Sequence, residues 1–300
     1  MIEVRRAETD ADLEAWIQVR RAVLPNESGG TVEYMRELET PDRLVLVAEL
    51  DGELAGSGLA DRSSNRERVF LAPRVLPERR RCGVGTALLR ELVTHGERLD
   101  VSEASAHVEG ADPGGVAFAE RFGFKETDRQ VEQVRLLDGN VPAPSPLPDG
   151  VEVVSIAERP ELLEQSFELA RQGYEDMAVP WSVVVPLEEW LRDEATLPGG
   201  SLVALAEDEI VGYSGLMDHD DDVVAEDGLT VVRRDWRRRG LARALKEREL
   251  AWAAENGIRE VITWTQTGND AMRAANERLG YAYRDVSITV VAPLPLKSLA

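Results

Sequence analysis

The chain has few of the residues that define several common classes of protein. Its 300 residues include a single cysteine, Cys82, so an intrachain disulfide is excluded and a reducing compartment is expected. Histidine occurs three times, with no Cys/His spacing typical of a metal site and no arrangement typical of a nucleophile triad. We therefore expect no metal cofactor.

Long apolar runs and an excess of basic residues are also missing. No segment is long enough to span a bilayer, and residues 1–10 lack the apolar core of a signal peptide, so we expect a soluble cytoplasmic protein. Lys and Arg number 35 against 56 Asp and Glu, a formal charge of −21, which argues against nucleic-acid or anionic-membrane partners. The acidity favours a cationic or amine acceptor, or it serves only solubility.

Two short arginine clusters interrupt this acidic background, at residues 79–81 and 233–239. Each follows an apolar, β-branched run and leads into a glycine, Gly83 or Gly240, and then into a helical pattern. Backbone N–H groups in the first turn of a helix have no partner within the helix and are partly positive, and glycine lets the main chain approach a ligand closely. Both stretches therefore predict an anion-binding turn.

The two stretches belong to a repeat with a constant offset of 157 residues, the separation of Gly83 and Gly240. The offset also relates residues 57–59 to 214–216 and residues 120–124 to 277–281. A register kept over this distance predicts a duplicated domain. We place the domains at 1–138 and 151–300, joined by residues 139–150, in which the alternating prolines Pro142, Pro144, Pro146 and Pro148 predict an extended, stiff linker.

Within each repeat the pattern alternates between strands and helices. Residues 69–75 and 226–232 are expected to be the strands that lead into the two turns, with helices following each glycine, and Asp51-Gly52 is typical of a hairpin. Residues 181–194 form a helix-rich insert that we expect to form one wall of the acceptor site.

At the glycine turns the chain resembles a known family. Arg80-x-x-Gly83-x-Gly85 and Arg237-x-x-Gly240-x-Ala242 are similar to the Gln/Arg-x-x-Gly-x-Gly/Ala signature of the GCN5-related N-acetyltransferases (GNAT), and both repeats also carry its later Gly-aromatic element. The resemblance implies an α/β fold of two tandem domains, each a mixed, mostly antiparallel sheet flanked by helices. It also implies that the turns hold the pyrophosphate of acetyl-CoA.

The resemblance assigns cofactor-binding residues in both copies. Asn269 is similar to the family asparagine that contacts pantetheine, and its counterpart in the first copy is Asp112. The other implied contacts are Val75, Arg80, Arg81, Cys82, Gly83, Val84 and Gly85 in the first copy, and Thr230, Val232, Arg237, Arg238, Arg239, Gly240, Leu241 and Ala242 in the second.

A general base is implied by the same resemblance. One branch of the family uses a glutamate six residues before the valine here numbered Val232, which is Glu226, with Asp227 as a substitute. The alternative is that Glu226 is an exposed acid at the start of a strand. Its side chain should share a face with those of Thr230 and Val232 unless a bulge intervenes. The first copy has Val69 at the same place, so we expect the second copy to be catalytic. The first is then either a CoA-binding relic or a separate acyltransferase.

The general acid of the family is missing. Where the family often has a tyrosine, the second copy has Asn276, which donates a hydrogen bond but gives up no proton. A thiolate with a pKa of about 8.5 leaves without a strong acid, and Tyr281 or Tyr283 could also substitute. Cys82 could form an acyl-cysteine, but the second copy has Arg239 at that position, which favours a variable turn residue.

The sequence therefore predicts an acetyl-CoA-dependent acyltransferase. We expect direct transfer to a primary amine of a small molecule, in a slot where the strands splay near Val232 and residues 263–265. Backbone N–H groups near Val232 would stabilise the developing oxyanion. The alternatives are a non-enzymatic acyl-CoA sensor, suggested by the missing tyrosine, and activity in the N-terminal domain.

Overall fold

The computed structural model describes residues 1–25, 30–63, 67–137, 139, 141, 143–177, 183–219 and 221–296. Asp138, Asn140 and Pro142 of the expected linker region, and Trp181 and Ser182 of the expected insert, lie outside these ranges. The chain divides into two compact units. The N-terminal unit is Met1–Asp128 with Ser287–Ala300, and the C-terminal unit is Arg129–Val286.

The N-terminal unit contains most of the first repeat. Its elements are β1 (Ile2–Arg6), α1 (Asp10–Val23), α2 (Val32–Glu37), β2 (Leu44–Leu50), β3 (Glu53–Arg62), β4 (Arg68–Leu71), β5 (Arg74–Val75), α3 (Val84–Gly96), β6 (Glu103–Glu109), α4 (Pro113–Arg121) and the start of β7 (Lys125–Leu136). Helix α1 begins at Asp10, because the Thr9 hydroxyl accepts from Asp12 N and the Asp12 carboxylate accepts from Thr9 N in a capping box.

The sheet of the N-terminal unit runs in the order β1-β2-β3-β4-β6. All neighbours are antiparallel except β4 and β6, and residues 287–293 of the last strand of the chain complete the sheet beside β6. The hairpin between β2 and β3 turns at Asp51 and Gly52, both with positive φ, as a tight hairpin turn requires.

The C-terminal unit repeats this arrangement. Its elements are β8 (Val151–Ser155), α5 (Glu161–Glu175), α6 (Leu187–Asp193), β9 (Leu202–Ala206), β10 (Glu209–Asp218), β11 (Val224–Val232), α7 (Leu241–Glu255), β12 (Glu260–Gln266), α8 (Asp270–Arg278) and the start of β13 (Ala282–Pro293). The strand order is β12-β11-β10-β9-β8, with only β11 and β12 parallel, and residues 130–136 of β7 complete the sheet beside β12. The predicted mixed, mostly antiparallel α/β fold is confirmed.

The compact units do not follow the boundaries expected from the repeat. Residues 130–136, the end of the first repeat, pair with β12 of the C-terminal unit, and residues 287–293, the end of the second repeat, pair with β6 of the N-terminal unit. Each unit therefore takes its last strand from the other repeat. Long-range pairing of this kind leaves no trace in a local pattern.

The two glycine turns have the same backbone conformation. Each begins with a short 3₁₀ turn, Pro77–Arg79 or Arg234–Trp236. An arginine and then a glycine with positive φ follow, at 64° and 91° for Arg81 and Gly83 and at 64° and 82° for Arg238 and Gly240. Helices α3 and α7 start directly after these glycines, as the sequence predicted. None of the described helices is both long and apolar enough to cross a membrane.

Candidate active site

Strand β11 carries a bulge at the centre of the C-terminal sheet. Its pairing with β10 passes from Thr230 opposite Ser214 to Asp227 opposite Leu216, so β11 has one residue more than its partner over this interval. Its pairing with β12 ends at Glu226 and Ile262. The two parallel strands therefore part after Glu226, and we call this opening the slot; the sequence led us to expect it further along the strands, near Val232 and residues 263–265.

The bulge changes which side chains share a face. Leu229 and Val231 pack in the apolar cluster under α5 and α6, whereas Val232 packs with Leu241 of α7 on the opposite face. Because two consecutive residues at the bulge point the same way, Glu226 no longer shares a face with Thr230 and Val232. Glu226 lies on the side of α5 and α6, where we expect the acceptor.

A second glutamate, Glu194, lies against the bulge. The Tyr213 hydroxyl donates to Glu194 Oε1 at 3.1 Å, and the Leu229 N–H also donates to this carboxylate. Glu194 follows α6 directly, and the next residue, Ala195, turns the chain with a φ of 58°. In the sequence, Glu194 is only the last residue of the insert 181–194, and no pattern there indicated a role for it.

Helix α6 is fixed by one buried aromatic residue. Trp190 is 1 % exposed, and its Nε1 donates to Leu163 O of α5 at 3.1 Å. Its ring lies 5.2 Å from that of Tyr213 and 5.9 Å from that of Phe167, measured between centroids. This packing holds the end of α6, and with it Glu194, over the bulge.

Two glycines on facing strands make room for the Glu194 carboxylate. A Cβ added to Gly228 would lie 3.1 Å from Glu194 Oε1, and one added to Gly215 would lie 1.9 Å from the same atom. The counterpart of Gly228 in the first repeat is Leu71, which is buried. This difference between the two repeats, glycine in one and leucine in the other, is a sequence signal that could have indicated the slot.

Burial raises the pKa of Glu194 to about 7. The negative charges of Asp227 and Glu226 raise the pKa further, while the hydrogen bonds from Tyr213 and the Leu229 N–H oppose the shift. Burial also raises the pKa of Tyr174, followed by the charges of Glu194 and Glu189. A carboxyl group with a pKa near neutrality can accept and return a proton at physiological pH.

Asp227, the expected substitute base, lies on the other face of the sheet. It is 2 % exposed, and its carboxylate forms an ion pair with Lys246 and accepts from the Tyr281 hydroxyl at 3.2 Å. Thr230 Oγ1 lies 3.4 Å from Asp227 Oδ1. This carboxylate is enclosed and already paired, so the arrangement gives it no access to an acceptor amine.

The residues considered for the acid role lie in different surroundings. Asn276 is fully buried and donates to Gln133 Oε1 at 3.1 Å, with Thr265 Oγ1 at 3.5 Å. Tyr281 is 4 % exposed and bonded to Asp227, and burial raises its pKa well above the usual value. Tyr283 is 51 % exposed. Asn276 and Tyr281 therefore hold the core together rather than face a ligand.

The arginines of the second turn hold its conformation. Arg237 donates from Nε to Val232 O at 2.9 Å and pairs with Asp176, which also accepts from Arg234 at 2.6 Å. These hydrogen bonds, that from Arg234 first, lower the pKa of Asp176 to about 2. The guanidinium of Arg239 stacks over the Trp236 ring at 4.6 Å. Arg238 is exposed, and the side chains of Leu241 and Ala242 pack in the core behind the turn.

The loop asparagine and the cysteine occupy the positions that the repeat implies. Asn269 caps α8 by accepting from Met272 N at 3.2 Å, and Asp112 caps α4 by accepting from Gly114 N at 3.0 Å. Asp112 also pairs with Arg80 at 3.1 Å. Cys82 is exposed in the first turn, next to Gly83.

The first repeat differs from the second at the positions of Glu226 and Thr230. Val69, the counterpart of Glu226, is fully buried, and Pro73 stands in place of Thr230. The expected strand 69–75 is split into β4 and β5 at Ala72 and Pro73, and the Ala72 N–H donates to Leu59 O at 2.8 Å.

A cavity lies in the N-terminal unit and has a volume of about 1000 Å³. It reaches from the first turn, at Gly83 and Gly85, along Val75 to Trp16 of α1. The first unit thus keeps a ligand-sized space next to its turn.

A family model decides the identity. The model of the acetyltransferase (GNAT) family matches residues 10–124 and again residues 163–281. The chain belongs to the GNAT acetyltransferase family. As a tandem GNAT protein it is an enzyme of acetyl transfer, and enzymes of this family generally take the acetyl group from acetyl-CoA.

Two named relatives match most of the chain. The chain is 29 % identical over 260 residues to a mycothiol acetyltransferase of Nocardia farcinica, covering 82 % of each protein. It is 27 % identical to a mycothiol acetyltransferase of Catenulispora acidiphila, covering 79 % of this chain and 76 % of the relative.

Solved structures show the same fold. A GNAT protein from Sphaerobacter thermophilus superposes with a TM-score of 0.76 at 20 % identity, covering 97 % of this chain and 95 % of that protein. A tandem GNAT protein from the clavulanic acid biosynthesis pathway gives a TM-score of 0.76 at 20 % identity over 98 % of both chains.

Proposed function

We propose that the C-terminal unit transfers the acetyl group of acetyl-CoA directly to a primary amine of a small molecule, with Glu194 as the general base. The observation that carries this proposal is the position of the Glu194 carboxylate against the bulge of β11, where β11 and β12 part. In this unit a glycine turn, an opened strand and a glutamate whose pKa is about 7 occur together.

The second turn fits a diphosphate. Gly240 has a φ of 82°, and a Cβ added there would meet nothing within 4 Å, so the backbone faces open space. The first amides of α7 follow directly, and their N–H groups favour an anion. Gly240, Leu241 and Ala242 would bind the pyrophosphate, with Arg238 adding charge, while Thr230, Val232 and Asn269 would lie along the pantetheine arm. Acetyl-CoA, when bound, supplies an acetyl group activated as a thioester.

Glu194 would accept the proton of the acceptor ammonium. A base with a pKa near that of the medium combines a useful ionised fraction with a useful proton affinity. Glu226, on the same side of the sheet, would keep the site negative and attract the ammonium. Backbone N–H groups near Val232 remain the proposed donors to the thioester oxygen. The thiolate leaves without a protein acid, because Asn276 cannot supply a proton, and the second proton of the amine passes from the tetrahedral intermediate to the thiolate through solvent.

The acceptor would be a cationic small molecule. Glu189, Glu194 and Glu226 act electrostatically on this region, and the partly exposed Tyr174 adds aromatic surface. The relatives named mycothiol acetyltransferases make their acceptor the first candidate, although the identity to them is modest.

The test is thiol release from acetyl-CoA in the presence of a panel of primary amines that includes the acceptor of the mycothiol acetyltransferases. We expect acetylated product, identified by mass, with at least one amine. Tight CoA binding without turnover on any amine would instead support the role of a sensor.

A further inference from the structure

The cavity of the N-terminal unit is lined by cations, in a chain whose formal charge is −21. Among the described residues, two carboxylates line it, Glu109 and Asp112. The arginines that line it are Arg20, Arg43, Arg74, Arg80, Arg81, Arg90 and Arg121. An acidic protein that gathers this many guanidinium groups around one cavity has a local potential suited to an anion.

The glycine turn accounts for only part of this charge. Arg80 and Arg81 belong to the turn, and Arg80 is paired with Asp112 at 3.1 Å. Three other arginines come from different elements, namely Arg20 from α1, Arg43 from the segment before β2, and Arg74 from β5. These three, which we term the α1-side arginines, have no part in the function proposed for the C-terminal unit.

An aromatic residue lies beneath one of them. The Arg74 guanidinium lies 5.4 Å from the centre of the Trp16 ring. Trp16 is 3 % exposed, and its Nε1 donates to Gly58 O at 3.0 Å, so the ring is held rigidly. A guanidinium supported by a fixed indole is preorganised to bind a planar carboxylate.

Arg43, a second of these arginines, is largely withdrawn from water. The side chain of Arg43 is 11 % exposed, pairs with Asp61 at 3.4 Å, and lies 3.5 Å from Leu38 O. Half-buried cations of this kind gain from a further anion in the cavity.

The equivalent region of the second repeat carries negative charge, whereas the cavity of the first carries positive charge. The counterpart of Arg74 there is Val231, which is 4 % exposed and packs in the apolar cluster under α5. The Leu229 N–H, two residues before Val231, donates to the Glu194 carboxylate, on which the negative charges of Asp227 and Glu226 also act. The two units therefore differ in the sign of charge beside equivalent strands, which predicts ligands of opposite charge.

We propose that the α1-side arginines form a binding site for a small organic carboxylate with an aromatic body, which lies beside Phe70 in this cavity. Arg74 and Arg20 hold the carboxylate, and Arg43 adds charge. The cavity of about 1000 Å³ has room for such a molecule in addition to the part that the glycine turn borders.

The test is calorimetric titration of the full chain, saturated with CoA, with 3-phenylpropionate and with 3-phenylpropylamine, which have the same body and opposite charge. Arg74→Gln and Arg20→Gln remove the proposed contacts. Arg98→Gln, an exposed arginine outside the cavity, is the matched control, and Glu194→Gln tests the other unit.

We expect saturable binding of the carboxylate at one site, weakened by about tenfold or more in each cavity variant and by added salt, and unchanged in Arg98→Gln and Glu194→Gln. The amine should not compete for this site. Absence of saturable carboxylate binding, equal binding of the amine, or unchanged affinity in both cavity variants would overturn the proposal. Thermal melting shows whether each variant is folded. Because the readout is binding, this result is independent of acetyl transfer by the C-terminal unit.

Discussion

The hydroxyl of Tyr213 donates to Glu194 Oε1 at 3.1 Å, next to Gly215 and Gly228, which make room for this carboxylate. The hydrogen bond fixes the carboxylate beside the bulge of β11, while burial raises its pKa to about 7. One contact thus ties the position of the proposed base to the irregular strand on which acetyl transfer would take place.

The first prediction concerns Glu194 itself. Glu194→Gln should lower kcat by about 10²–10⁴-fold, because the amide cannot accept the ammonium proton. In the unmodified enzyme the rate should rise with pH through about 7, since the carboxylate form is the active one and forms above its pKa. The pH–rate profile measures both effects.

The matched control is Glu188→Gln, an exposed glutamate of α6. It should leave the profile unchanged. An ascending limb near pH 7 that survives in Glu194→Gln would show that another group is the base, with Glu226→Gln the next variant to measure.

The second prediction concerns the slot. Gly228→Ala would place a methyl group 3.1 Å from Glu194 Oε1 and 3.1 Å from Met217 Cε, so the carboxylate must shift. We expect kcat to fall by about tenfold or more, since a displacement of about 1 Å can cost 10²-fold. Steady-state kinetics of Gly228→Ala, Glu194→Gln and the double variant measure the coupling. The double variant should be no slower than Glu194→Gln alone, and additive losses would contradict a shared site.

The third prediction concerns the buried pair of Asp227 and Lys246. Their counterparts in the first repeat are Phe70 and Leu89, so the first unit fills the same places with apolar side chains. Lys246→Met leaves the enclosed Asp227 without its cation and should cost about 3–5 kcal/mol in the free energy of unfolding. The double variant Asp227→Leu/Lys246→Met should recover most of this loss.

Urea unfolding of the full chain measures these changes. The exposed pair of Arg171 and Glu168 provides the control, because Arg171→Ala should cost about 0–1 kcal/mol. A single Lys246→Met variant as stable as the unmodified chain would show that Asp227 finds another partner.

The fourth prediction concerns Glu249, which is fully buried and accepts from the Ser214 hydroxyl at 2.5 Å. Burial, followed by the charge of Asp227, raises its pKa well above the usual value. The folded state therefore binds a proton that the unfolded chain releases above about pH 4.5, and stability from this group is lost as pH rises from there towards the folded pKa. Glu249→Gln should raise the melting temperature more at pH 8 than at pH 5. An equal rise in melting temperature at pH 5 and pH 8 would contradict the raised pKa of Glu249.

The glycine turns and the helix starts could be predicted from the sequence, because each depends on residues that are close together in the chain. Gly83 and Gly240 have the left-handed conformation that their turns require, and Thr9 caps α1 with its own neighbours. The constant offset between the repeats likewise predicted that one fold occurs twice.

Glu194 could not be found in this way. Its role depends on Trp190 anchoring α6, on Tyr213 in β10 and on Gly228 in β11, and these contacts are formed only in the folded unit. The bulge of β11 also moved Glu226 off the face predicted by simple alternation. The exchange of final strands escaped prediction because strand pairing over such distances follows no local pattern.

The central claim is that acetyl transfer takes place in the C-terminal unit. The most direct test compares Gly240→Asp with Gly83→Asp, two equivalent lesions that put a negative side chain into turns of the same conformation. With acetyl-CoA and a reactive amine, Gly240→Asp should abolish thiol release and Gly83→Asp should retain it. Loss of activity in Gly83→Asp together with full activity in Gly240→Asp would place catalysis in the N-terminal unit and contradict this account.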